Sequence, residues 1–153
     1  MAPTAFTFEV TVDSADPHAL ADWWAEALGW EVENDEAAIR RDVAEGRVDE
    51  AEITTHNGVL AWKAGTAIRH PEGPARAPRV LFQLVPEPKT TKNRLHLDIR
   101  TTPNEATHLV ERLTTNGAAL LHHGRHGPYT WTTLTDPEGN ELCVVPEVLD
   151  HGR

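Results

Sequence analysis

A strand–helix–strand pattern occurs twice along this chain, and that repeat limits the folds open to it more than any other feature. Phe6, Phe8, Val10 and Val12 alternate with Thr7, Glu9, Thr11 and Asp13, a period of two that predicts a half-buried strand. Asp16 followed by Pro17 predicts a helix start, because Asp caps free backbone N–H groups and proline has none to lose. Leu20, Trp24, Ala27 and Leu28 recur at helical spacing, Gly29 is a stop, and Trp30–Glu33 begins a further strand. In the second half, Leu95, Leu97 and Ile99 alternate with His96, Asp98 and Arg100. Thr102-Pro103-Asn104-Glu105 then reads as a capping box ahead of the stripe Ala106, Leu109, Val110 and Leu113, closed by Asn116-Gly117. Strands follow over Ala118–Leu121, Tyr129–Thr135 and Glu141–Val145, the last two separated by the turn Asp136–Asn140.

Helices are few, and the clearest follow the first strand of each half, which predicts an α+β class rather than a doubly wound parallel sheet. The reading is one domain over 1–153, with module one at about 5–86 and module two at about 92–146. Pro86 and Pro88 mark the crossover between them. Asp35–Glu52 carries enough helix formers for an inserted helix, and Arg69–Arg79, with Pro71, Gly73, Pro74 and Pro78, reads as a loop.

Composition excludes several function classes. The net charge of −10, from 24 acidic against 14 basic side chains, repels a phosphate backbone, so nucleic acid is not an expected partner. No apolar run approaches the roughly 18 residues of a spanning helix, so no membrane partner is expected. The first residues lack the cationic and apolar stretches of a secretory signal. Cys143 is the only cysteine, which rules out an intrachain disulfide framework and points to the cytoplasm. A small molecule is the expected ligand.

The stretch Val85–Asp98 (VPEPKTTKNRLHLD) resembles glyoxalase-like domains of the vicinal oxygen chelate superfamily, which includes bleomycin-resistance proteins and extradiol dioxygenases. Asp16-Pro17 with Leu20-Ala21-Asp22-Trp23-Trp24 and Leu28-Gly29-Trp30 is similar to the first helix of that group, and Asp136–Cys143 (DPEGNELC) to its final turn and strand. The resemblance implies two tandem βαβββ modules whose curved mixed sheets enclose a cleft. It also implies that metal-using members bind a divalent ion from the first and last strands of each module, while others bind a drug without metal. A homodimer is common in the family and compatible with exposed sheet edges.

On the period of two, Glu9 and His96 face that cleft at equivalent places. The resemblance puts Cys143 where metal-using members carry a glutamate, and Gln83, a weaker donor, in the fourth strand. The resulting set of Glu9, His96 and Cys143 suits no ion well, so no resident cofactor is favoured; a divalent metal, if bound, would use those three. His96 beside Asp98 is the candidate acid–base pair. Glu9, Thr11, Gln83, Trp62, Trp131 and Cys143 are the candidate ligand-binding residues, the two tryptophans offering planar surfaces. Trp24 reads as core, and His122, His123 and His126 as a solvated loop before the Tyr129 strand, with His122 or His123 at the mouth of the cleft as the alternative. The expected function is small-molecule binding without the usual metal. The alternative is an enzyme of the superfamily, of lyase, isomerase or dioxygenase type, using a metal or His96. Glyoxalase I proper is not expected, since only part of its ligand set is present.

Overall fold

The structure is a computed structural model and describes residues 5–148; the two ends of the expected 1–153 domain lie outside the described residues. The chain divides into two compact units, Met1–Pro88 and Lys89–Arg153.

In the first unit, β1 (Val10–Ser14) leads into α1 (Pro17–Leu28), then β2 (Glu31–Val32). An insertion follows: α2 (Glu36–Ala44), a single 3-10 turn at Glu50–Glu52, and the hairpin β3 (Ile53–His56) and β4 (Val59–Trp62). The strands β5 (Gly65–Arg69) and β6 (Val80–Leu84) complete a four-stranded sheet of order β1-β6-β5-β2. The β1–β6 pair is parallel and the other two pairs are antiparallel. Asp16 accepts a hydrogen bond from the Ala19 amide at 3.2 Å, and Gly29, at φ 68°, closes α1 in the left-handed conformation that glycine takes without strain. Leu20, Ala21 and Trp24 of α1 are buried, as are Ile68, Val80 and Phe82 of the sheet, so Trp24 is core as read.

The second unit holds β7 (Leu97–Thr101), α3 (Pro103–Thr115), β8 (Ala119–His126), β9 (Tyr129–Thr135) and β10 (Glu141–Pro146). Its sheet has the order β7-β10-β9-β8, again with first and last strands parallel. With the inserted hairpin set aside, both units follow one plan: strand, helix, three strands, ordered first–fourth–third–second. This is a mixed α+β fold built from two βαβββ modules. No helix among the described residues is long and apolar enough to cross a membrane.

The structure departs from the sequence reading in five places. β1 begins only at Val10; Phe6 and Phe8 precede it and are exposed, because β6 offers partners from Val80 to Leu84 and no further. The strand read over Trp30–Glu33 is reduced to Glu31–Val32. β7 starts at Leu97, leaving His96 just ahead of the strand and Leu95 exposed. Thr102 precedes α3 but makes no side-chain cap to the backbone; its hydroxyl donates to the Glu105 carboxylate at 2.8 Å instead. β8 runs on through His122, His123 and His126, so these histidines lie on a strand and not in a loop. The cause is β9, which supplies a partner as far as Tyr129 for His126.

Candidate functional site

Register places the site. Asp98 on β7 pairs with Cys143 on β10, Cys143 with Thr133 on β9, and Thr133 with His122 on β8. Successive side chains on a strand point to opposite faces, so these four form one polar row across the whole sheet. The neighbouring row, Leu97, Leu142, Leu134 and Leu120, lies on the other face, where Leu142 and Leu134 are fully buried. An apolar row covered on one side leaves the polar row to line the opposite face.

Hydrogen bonds connect most of the row. His96 Nδ1 lies 3.0 Å from Asp98 Oδ1, Thr133 Oγ1 lies 3.4 Å from Cys143 Sγ, and the same hydroxyl is 3.3 Å from His122 Nε2. Thr133 and Cys143 are buried, whereas His96, Asp98 and His122 are exposed. A cavity of about 400 Å³ opens over the row, with Lys92, Tyr129, Trp131 and Glu141 completing its walls. Trp131 shares the face of Thr133, and a Cβ at Gly124 on the paired strand would overlap its indole. Glycine is therefore required there for the ring to approach the β8 backbone.

Burial pushes the Cys143 thiol above its ordinary value; the Thr133 hydroxyl opposes this and the Asp98 carboxylate adds to it. The thiol is consequently protonated at neutral pH and a weak nucleophile. Burial acts to raise the Glu141 carboxyl as well. There the amides of Asn93 and of Glu141 itself, with Lys89 at 3.1 Å, outweigh it and hold the group below the usual carboxylate range. Glu141 thus clamps the segment before β7, helped by the bond from Asn93 Nδ2 to Asn140 Oδ1 at 3.0 Å.

Of the residues nominated from sequence, His96, Asp98, Cys143 and Trp131 come together in this pocket. Thr11 and Gln83 share one face of the first sheet and are exposed. Glu9 precedes β1, and its carboxylate accepts from Arg79 Nη1 at 3.1 Å. Arg79 also grips Glu33 through two bonds of 2.7 and 2.9 Å, which drive its guanidinium still further above its ordinary range. Trp62 belongs to the inserted hairpin, outside the four-stranded sheet.

Sequence reasoning missed Thr133 and favoured a loop for His122, with the cleft mouth only as the alternative; the place of both follows from the length of β8 and its register. It also missed a second cluster in the first module, around a cavity of about 200 Å³. There His56 Nε2 lies 2.6 Å from Asp22 Oδ2, and His18 Nε2 donates to the Trp62 carbonyl at 2.9 Å. The two imidazoles stack with centroids 5.1 Å apart. A signal was available: Asn57-Gly58, both at positive φ, is the dipeptide that closes a two-residue hairpin and brings His56 to α1.

A family model described as a glyoxalase-like domain matches residues 9–145. The chain belongs to that family. It thereby falls within the vicinal oxygen chelate superfamily, as the repeated modules and the Val85–Asp98 stretch led us to expect. No protein of curated function matches it in sequence. Several solved structures share the fold. One is a mutant of the genomically encoded fosfomycin resistance protein FosX from Listeria monocytogenes, complexed with Mn(II) and 1S,2S-dihydroxypropylphosphonic acid. Its TM-score is 0.65 at 7% identity, over 96% of this chain and 95% of that one. A hypothetical protein from S. aureus gives 0.62 at 12% identity, over 95% and 96% of the two chains. A glyoxalase/bleomycin resistance protein/dioxygenase family enzyme from Burkholderia phytofirmans PsJN gives 0.60 at 12%, over 92% and 97%. At these identities the glyoxalase-like chain shares the fold with them and nothing finer.

Proposed function

We propose that this glyoxalase-like protein binds a small organic molecule in the second-module pocket and does so without a hard divalent ion. The observation that carries this is the convergence of a complete cross-strand polar row, Asp98, Cys143, Thr133 and His122, with the Trp131 indole on one cavity of about 400 Å³. Such a pocket offers an aromatic wall and a few placed polar groups, the usual composition of a ligand site. Glu9, Thr11, Gln83 and Trp62 remain ligand-binding candidates on the first module.

A second reading has its own observation. His96 held by Asp98 at 3.0 Å is an imidazole oriented by a carboxylate, the arrangement of a general acid or base. It makes this chain an enzyme of lyase or isomerase type, in keeping with the enzymes among its structural relatives. Cytoplasmic residence and self-association into a homodimer belong to the same proposal, supported by the single buried cysteine and by the exposed Leu120 and Leu121 on the edge strand β8.

A thermal-shift screen of aromatic acids and amines in chelating buffer tests the binding reading, since a ligand at about 100 times its Kd stabilises by roughly 2.7 kcal/mol. A screen in which no compound raises the melting temperature argues against it.

A further inference from the structure

The charges around the second-module pocket are unevenly matched. Glu141 on its wall has both carboxylate oxygens taken: Lys89 Nζ donates to Oε1 and the Asn93 amide to Oε2, each at 3.1 Å. Asp98 accepts from His96 Nδ1 at 3.0 Å. Lys92 differs from its neighbour Lys89. It lines the pocket and is exposed, and its ammonium donates to the Asn93 carbonyl at 3.1 Å. Among the described residues it pairs with no carboxylate, and two of its three donors remain for a ligand. The segment that presents it is pinned, since Asn93 bonds through its amide to Glu141 and through its side chain to Asn140. Burial and the Asp98 carboxylate push the Cys143 thiol up, and Lys92 acts against them, so its positive field reaches the pocket floor.

We propose that Lys92 makes this pocket selective for an aryl carboxylic acid, whose ring lies against Trp131 and whose carboxylate pairs with the ammonium. The proposal rests on the ligand-binding reading above and adds the charge of the ligand. His122, Thr133 and Tyr129 line the same pocket and supply further donors to the oxygens of an anion. An amine has no comparable place. To reach Glu141 it must displace Lys89, and at Asp98 it competes with His96 while Lys92 repels it. The net charge of −10 opposes an anion at long range, but salt screens that field beyond about 8–10 Å, so the local contact decides.

Titration calorimetry of the full-length protein in chelating buffer tests it with naphthylacetate, naphthylacetamide and naphthylethylamine, one ring system carrying a negative, a neutral or a positive group. The acid should bind tightest. Lys92→Gln should weaken the acid about tenfold, the worth of one hydrogen bond to a charged group, and leave the amide within about twofold. Lys92→Arg should keep the acid bound. Lys63→Gln, which changes the net charge equally at an exposed first-module position, should leave all three affinities as they are. An amine that binds as tightly as the acid, or an acid indifferent to Lys92→Gln, would overturn the proposal. The pocket reading survives either result if binding is lost in Trp131→Ala. Failure of all three probes also overturns the proposal, whereas the binding reading falls only when the wider thermal-shift screen is blank.

Discussion

Asp98 and Cys143 face each other across the parallel pair β7 and β10, which puts a carboxylate beside a buried thiol at the centre of the second sheet. The pairing has a measurable consequence. The thiol, raised by burial and by that carboxylate, should react slowly with a disulfide reagent at neutral pH in chelated buffer. The rate should climb only above the pH at which an ordinary cysteine ionises. The same shift sets a stability trend: the unfolded thiol loses its proton first, so this contribution is complete below the unfolded pKa and is lost as pH rises through the folded one. Reaction as fast as that of an unfolded control would refute the burial argument.

Gly124→Ala should disturb the pocket more than its size suggests. The new methyl overlaps the Trp131 indole, and either the ring leaves the cavity or the strands part. Overpacking of this kind costs about 1–3 kcal/mol, readable by urea denaturation, and any ligand found for the pocket should bind more weakly.

Glu141→Gln should destabilise the protein by about 1–3 kcal/mol at neutral pH, since it removes the charge that Lys89 and the Asn93 amide both engage. The carboxyl sits below its ordinary range, so its contribution is present above the unfolded pKa and disappears as pH falls through the folded one. Acid unfolding of the variant should therefore show a shallower limb than that of the wild type.

His56→Ala removes the bond to Asp22 and the stack on His18 that fasten the inserted hairpin to α1. A loss of about 1–2 kcal/mol is expected by chemical denaturation. His126→Ala, on an exposed stretch of β8, should stay within about 0.5 kcal/mol.

Much of this was legible from residue order alone. The period of two around Val10 and Val12, the Asp16–Gly29 helix signals and their return at Leu97 and Pro103 defined both modules. They also put His96 and Asp98 among the candidates, and the family resemblance added Cys143. What the pattern could not supply was partnership. Phe6 and Phe8 alternate as a strand should, but no neighbouring strand extends to meet them. His122 to His126 look polar enough for a loop, yet β9 pairs with them. Glu9 reads as an inward donor until Arg79, distant in sequence, claims it. Period shows which face a side chain takes, and pairing decides whether that face has a neighbour.

The central claim, that the second-module pocket is the binding site, is tested most directly by repeating the thermal-shift screen of aromatic acids and amines on wild type and Trp131→Ala in chelating buffer. Compounds that stabilise the wild type should lose that effect in the variant, whose baseline melting temperature is measured alongside. Equal stabilisation of both proteins would place the site elsewhere and contradict the account.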